Sequence, residues 1–394
     1  MINFSLSFLI NSLLYIVAYS CDIGKQLFYG GEMKHTILVT GASGFLGSAL
    51  CVDLARDHTI IGLYRRPIPE KLKKAAPLVQ WERSDIEDRD CLDWIFRQNA
   101  LRGRPIDYVI HFAAYVGFKK KWQDEHSDTN VIGTQNIIEA ASDAGVKRIL
   151  FAGSIAALDP LPGGKVLTEK TLAGGEIAYA KSKALGEKLL FENSHKIPAI
   201  VLRLGGVFTD WCELPPLFSI MKMWSKPFIG RMMPGQGMSG FPYIHRRDVV
   251  DIVRKIIKKD KMLSHFETLF ASPSGCTCQK ELFPIIRRES NENFSTKPLH
   301  VSLPFTRMAL HGKYFFNTLI NKNTYERSWM IDYADRPLVV DTSYTQKKLN
   351  WNPRPKLHIL ERLPLLLQNL IYHPDPWYSR NINRNDQKYE YNAD

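Results

Sequence analysis

The sequence predicts an α/β fold, a doubly wound parallel sheet with a smaller C-terminal lobe. Three observations predict it. Short, nearly continuous apolar runs alternate with helical periodicity between Thr36 and Leu204, as strands covered on both faces do when crossover helices separate them. A turn with glycines at every third position, Gly41, Gly44 and Gly47, stands at the first strand-to-helix junction. From about Thr209, Pro215, Pro216, Pro227, Pro234 and Pro242 break the alternation, which marks a separate lobe.

Thr36–Thr40 is the first strand, and Phe45, Leu46, Ala49, Leu50 and Leu54 then recur at helical spacing. Thr59–Tyr64 reads as the second strand, Leu78–Glu82 as the third and Asp107–Phe112 as the fourth. Asn130–Ala144 has helical periodicity through Val131, Ile137, Ile138 and Ala141. Arg148–Ala152 is a fifth strand, Tyr179–Phe191 a helix and Ala199–Leu204 a sixth strand. The expected organisation is a sheet domain over 33–208, a lobe with returning sheet elements over 209–375, and a polar tail over 376–394. Half of the ten methionines (Met221, Met223, Met232, Met233, Met238) fall in the lobe's first part. They read as loose packing of a small lobe, or as a lid over a lipophilic substrate or a surface resting on a membrane.

The chain has 394 residues, 45% hydrophobic and 23% charged, which excludes a disordered, collagen-like or multispan membrane protein. Its net charge of +12 is spread along the chain; it suits an anionic ligand, and no nucleic-acid partner is expected. The six cysteines are scattered apart from Cys276 and Cys278, which lack common zinc-site spacing. They read as reduced thiols of a cytoplasmic protein, with no metal site. Residues 1–32 stand apart. Phe4–Ala18 is largely apolar but interrupted by Ser5, Ser7, Asn11 and Ser12, which is marginal for a span of about 20 apolar residues. Three readings stay open: upstream sequence included by a wrong start, with Met33 the initiator, an anchor that makes the protein membrane-associated, or an export segment that lacks the usual positive start. A homodimer is kept open as well.

The glycine turn carries the first chemistry. Gly41 allows the tight turn, Gly44 lets backbone approach a pyrophosphate, and Gly47 permits close helix–strand packing. The N–H groups of Ser43, Gly44, Phe45 and Leu46, with the helix dipole, then face the phosphates. The residue that selects between dinucleotides lies at the end of strand two. There the run is Tyr64-Arg65-Arg66-Pro67, with no acid from Ile60 to Pro69. A guanidinium pairs with a 2′-phosphate, so NADP is expected, with NAD as the alternative. Asp85 and Ile86, after strand three, stand where the adenine would lie.

Tyr179 and Lys183 are four residues apart, on one helix face. Free tyrosine has a pKa of about 10, so a neutral-pH base requires a shift of about 3 units, or about 4 kcal/mol of differential stabilisation. Lys183 is spaced to supply it. Ser154, after strand five, places a hydroxyl where it orients a substrate oxygen.

Together these residues resemble the extended short-chain dehydrogenase/reductases, the NAD-dependent epimerase/dehydratase family. Thr40 to Gly47 looks like its cofactor turn. His111-Phe112-Ala113-Ala114 resembles the strand-four motif in which Phe112, Ala113 and Ala114 line the cofactor and His111 packs beside it. Asn130-Val131-Ile132-Gly133-Thr134 is similar to the central helix whose asparagine supports the site. Ser154, Tyr179 and Lys183 match the catalytic triad, Tyr243 to Val249 a C-terminal-lobe motif, and Asp341 to Pro353 the closing segment. The resemblance implies a Rossmann fold and hydride transfer between NADP(H) and a carbonyl or secondary alcohol. The substrate is then a small molecule, lipophilic or a sugar nucleotide. Arg203 is followed by Leu204 where the family often has proline, beside Gly205, which would approach the nicotinamide amide. Ala152 and Gly153 stand where small hydroxyl residues are usual. Two rivals remain. A sugar-nucleotide epimerase or dehydratase would hold NAD tightly, and a dehydratase needs an acid near the serine; the nearest, Asp159, is too far along to assign. A non-catalytic cofactor sensor or scaffold has no need of the triad.

Overall fold

The computed structural model describes residues 34–117, 120–158, 165–319 and 326–385. Strands β1 (Thr36–Thr40), β2 (Thr59–Tyr64), β3 (Gln80–Arg83), β4 (Tyr108–His111), β5 (Arg148–Ser154), β6 (Ala199–Leu204) and β7 (Phe266–Ala271) form one sheet. Their order is β3-β2-β1-β4-β5-β6-β7, and every pairing is parallel. Helices α1 (Phe45–Leu54), α2 (Arg89–Leu101), α3 (Gly133–Asp143), α4 (Ala178–Glu192) and α5 (Arg246–Lys258) cover it.

The alternation of side chains explains why the strands read as unbroken apolar runs. Ile37 and Val39 of β1 pack on one face with Leu50 and Leu54 of α1 and Val249, Ile252 and Val253 of α5. Leu38, between them, packs on the other with Ile95 of α2, Ile137 of α3 and Leu190 of α4. A parallel sheet wound on both sides leaves no solvent face to mark with polar residues.

β1, β2 and β6 have the boundaries read from the sequence. The third strand starts at Gln80, because its register with β2 begins at Ile61 opposite Gln80, and Leu78 is exposed. β5 runs on to Ser154, paired opposite Leu204, so the serine closes the strand rather than following it. The helix read from Asn130 is a π-helical stretch, Asp128–Ile132, before α3 begins.

Between β6 and α5, and again after β7, the chain builds the lobe. Helices Pro215–Trp224, Gln279–Ser290, Ile359–Tyr372 and Pro374–Asn385 enclose a core of Trp224, Phe283, Leu366 and Trp377. Met221 and Met233 are fully buried in it, which supports the packing reading for those two. The segment from 376, expected as a polar tail, is helical as far as Asn385. Its Trp377 stacks on Phe218, and Arg380 pairs with Glu213 at 2.9 Å, so its polar composition hides one apolar anchor and one buried ion pair. The sulfurs of Cys276 and Cys278 lie 3.8 Å apart, with no disulfide between them. Among the described residues no helix is long and apolar enough to cross a membrane. The readings of residues 1–32 and of Asp159 lie outside those residues.

Candidate active site

The strand order reverses at β1 and β4, which opens a crevice beyond their carboxyl ends. Gly41 sits there at φ +66°, and a Cβ on it would lie 2.8 Å from the Ala113 nitrogen. A Cβ on Gly47 would come within 2.2 Å of the Gly41 carbonyl oxygen. Both positions therefore demand glycine on steric grounds. Gly44 caps α1 without a side chain, and the first turn holds no acid, so the helix end stays a site for an anion. Ser43 and Leu46 are half-buried and Phe45 buried. The Phe45 carbonyl accepts from Arg246 at 3.2 Å, and the Arg246 guanidinium lies 5.0 Å from the Phe45 ring centre.

Behind the turn, Thr40 joins β1 to β4. Its hydroxyl meets His111 Nδ1 at 2.7 Å and accepts from the Ala113 N–H at 3.0 Å. The Thr134 hydroxyl donates to the Asn130 carbonyl at 2.8 Å and contacts His111 Nε2 at 3.1 Å. These directions close for a neutral imidazole with its proton on Nε2. Burial, helped by the Lys183 charge, pushes His111 down to about 3. It is a buried histidine with both ring nitrogens hydrogen-bonded. Phe112, Ala113 and Ala114 follow it, half-buried at the crevice.

At the end of β2, Arg65 lies 3.3 Å from Asp85 and 3.7 Å from Glu87. The two groups assigned separately to the cofactor's adenosine end thus meet each other. Ile86, which stands between the two acids in sequence, is buried, and a Cβ on Gly133 would strike its Cδ1 at 2.6 Å.

Lys183 is buried in α4, with Nζ 4.2 Å from the centre of the Phe151 ring. Burial lowers it to about 8, against the opposing pull of Glu187. Tyr179, one turn earlier, is half-buried, and its carbonyl accepts from the Ser182 hydroxyl at 2.8 Å. α4 packs on β5 and on the 3-10 turn Ile155–Ala157 that follows Ser154. Ser154 is buried, and its oxygen accepts from the Ala156 N–H at 3.1 Å. The three proposed catalytic residues therefore come from two elements packed together, with Ser154 at the carboxyl end of the parallel strands, the end at which the glycine turn also lies.

Two supports brace the site: the resemblance implied Asn130 without its partners, and the pair of Glu187 with Arg203 escaped sequence reasoning. Asn130 Nδ2 donates to Ser182 Oγ at 2.8 Å and to the Tyr115 carbonyl at 2.9 Å, while its oxygen accepts from the Tyr115 N–H at 2.7 Å. It thus ties α4 to the loop after β4 from within the π-helical stretch, a distortion often found at functional sites. Glu187 forms a buried pair with Arg203 at 2.8 Å, which in turn donates to the Thr171 carbonyl at 2.7 Å. The available signal was spacing: Ser182 and Glu187 lie three and eight residues beyond Tyr179 on one helix. Gly205 is also required by the protein's own packing. Its N–H donates to the Ala271 carbonyl at 3.0 Å, and a Cβ there would lie 2.3 Å from the Pro242 oxygen, so this glycine admits a crossing chain.

Residues 37–268 match the family model described as NAD dependent epimerase/dehydratase. The chain belongs to that family. Among curated relatives, an uncharacterized UDP-glucose epimerase of Bacillus subtilis is 31% identical over 183 residues, 44% of this chain and 56% of that protein. The human dTDP-D-glucose 4,6-dehydratase is 26% identical over 67% of this chain and 77% of its own length. A Monkeypox virus 3 beta-hydroxysteroid dehydrogenase/isomerase is 29% identical over 46% of this chain and 54% of its own. The solved UDP-glucose 4-epimerase of Thermotoga maritima superposes with a TM-score of 0.64 at 18% identity, covering 86% of this chain and all of the other. That likeness concerns the fold.

Proposed function

We propose that this protein moves hydride between a nicotinamide dinucleotide and a carbonyl or secondary alcohol, with Tyr179 as acid/base. The observation that carries the reading is the juxtaposition of a side-chain-free glycine cradle with Ser154 and a buried lysine one turn from Tyr179. The cradle fits the dinucleotide, since Cβ atoms at Gly41 and Gly47 would strike backbone and force the tight turn apart, and the α1 end carries no acid against the phosphates. Gly41 to Gly47 would hold the pyrophosphate, Phe112 to Ala114 the wall beside it, and Lys183 the nicotinamide ribose. Bound there, NAD(P) supplies the hydride acceptor or donor.

In the oxidative direction the Tyr179 oxygen takes the alcohol proton; in reduction it returns one. At a pKa of about 8, Lys183 is still protonated at neutral pH, and its charge favours the phenolate. The oxygen of Ser154 accepts a backbone N–H, which leaves its own proton to point at the substrate oxygen. A cytoplasmic setting goes with the reduced-thiol reading.

Arg65 and Arg66 support NADP. The contact of Arg65 with Asp85 and Glu87 supports NAD, because it offsets the charge a 2′-phosphate would meet. The names of the relatives favour, as second reading, a sugar-nucleotide epimerase or dehydratase that returns the hydride to one substrate. Tyr179→Phe tests the common chemistry. Turnover, assayed by nicotinamide absorbance or by epimer formation, should fall by at least about 100-fold, the usual share of acid–base catalysis. Cofactor affinity should stay within a few-fold. Retained turnover would remove the triad assignment.

A further inference from the structure

Two stretches of the chain contain no acidic residue, Leu214 to Arg247 and Asn293 to Tyr325. The fold joins them, because Met232–Pro234 pairs in parallel with Leu299–Val301. Around this junction large apolar side chains stand in solvent. Phe228 is 93% exposed, and Ile229, Met232 and Leu299 are exposed beside it in the chain or across the strand pair. Two residues after the second strand begins helix Leu303–Leu319, whose Phe305, Met308 and Phe315 are each more than half exposed. With Gly312, where a Cβ would meet open space, they fall at i, i+3, i+7 and i+10, one helix face. The less exposed Leu303, Thr306 and Leu310 mark the opposite face, and the helix packs on the 3-10 turn Ser328–Tyr333.

The exposure of Phe228 is built into the fold. Arg287, itself buried, donates to the carbonyls of Trp224 at 2.8 Å, Lys226 at 2.5 Å and Pro227 at 3.1 Å, and its guanidinium lies 4.3 Å from the Phe294 ring centre. It locks the turn that carries Phe228. A Cβ on Gly230 would collide with Arg287 at 2.5 Å. An apolar side chain held rigidly in water marks a contact surface. The exposed charges carried by this turn are Lys226 and Arg231, and the approach to the second strand carries Lys297 with one exposed acid, Glu292, at its far end. On the helix, Arg307 and Lys313 are matched by Asp332 and Glu326, so the unbalanced positive charge comes from the turn and the strand.

We propose that this face docks on the surface of a bilayer containing anionic phospholipid. Exposed aromatic and aliphatic side chains enter the boundary between headgroups and acyl chains, and the cations meet the lipid phosphates. A second copy of the chain fits less well, since it would bring like charges together. The proposal stands independently of the hydride-transfer reading.

The test is sedimentation of the full chain with vesicles of phosphatidylcholine alone or of phosphatidylcholine with three-tenths phosphatidylglycerol. Binding should require the anionic lipid and weaken with salt. Phe228→Ser with Phe305→Ser and Met308→Ser, and separately Lys226→Glu with Arg231→Glu and Lys297→Glu, should each weaken it by at least about tenfold. All six positions are exposed, and an unchanged thermal midpoint confirms that the variants fold. Wild-type binding that survives both variants would place the membrane contact elsewhere in the chain and overturn the proposal. So would absence of binding together with a dimer, measured by light scattering, that the apolar variant dissociates.

Discussion

His111 is a site through which mild acid should weaken this protein. The ring is buried, neutral and hydrogen-bonded on both nitrogens, and burial holds it near 3, against about 6.5 in an unfolded chain. The folded state therefore resists a proton that the unfolded state accepts. The stability is complete above pH 6.5 and is lost as pH falls toward 3, at about 1.4 kcal/mol per unit. Between pH 6.5 and 5.0 this site alone removes about 2 kcal/mol, a large part of a typical domain's margin. Urea unfolding at pH 7.0 and pH 5.0 measures it in the wild type and in His111→Gln. The variant should be less stable at pH 7.0, having lost a buried hydrogen bond, yet should lose about 2 kcal/mol less than the wild type on acidification. His126 and His358 are also held down by burial; both remain in the variant, so their contribution cancels. Equal losses in the two proteins would refute the assignment of a neutral, proton-resisting His111.

Arg65→Asp combined with Arg66→Ala should invert a preference for NADPH. One charge-assisted contact to the 2′-phosphate is worth about 1.5–3 kcal/mol, or roughly 10- to 150-fold in affinity, and titration calorimetry of both cofactors reads it. Equal wild-type affinities would mean that Asp85 and Glu87 already hold Arg65 and would put NAD ahead. Glu187→Gln leaves Arg203 buried without its carboxylate and should cost about 3–5 kcal/mol of stability. Because Glu187 raises the Lys183 pKa, the same change should move the alkaline limb of the pH–rate profile downward, and an unmoved limb would separate that limb from Lys183.

Much of the sheet was legible because its signal is local. β1, β2 and β6 are runs of apolar residues closed by turn residues, and a strand buried on both faces needs nothing more to declare itself. The glycine turn was legible for the same reason: the positive φ of Gly41 and the packing of Gly47 on the Gly41 carbonyl lie within one strand–turn–helix unit, though Gly41 also meets Ala113 from the loop after β4. Spacing on one helix likewise placed Tyr179 and Lys183 together. What sequence left open depended on partners distant in the chain. Arg65 reads as a free cation until the fold sets Asp85 and Glu87 beside it, twenty and twenty-two residues on. Gly205 reads only as a cofactor contact, and the fold adds Pro242 crossing over it. A polar-looking terminal segment becomes structural once Trp377 finds the lobe core and Arg380 finds Glu213. Periodicity records which face of an element is apolar, but not which charged group will meet it. Ion pairing, desolvation and the neutrality of His111 are properties of neighbours, and the tertiary structure decided those.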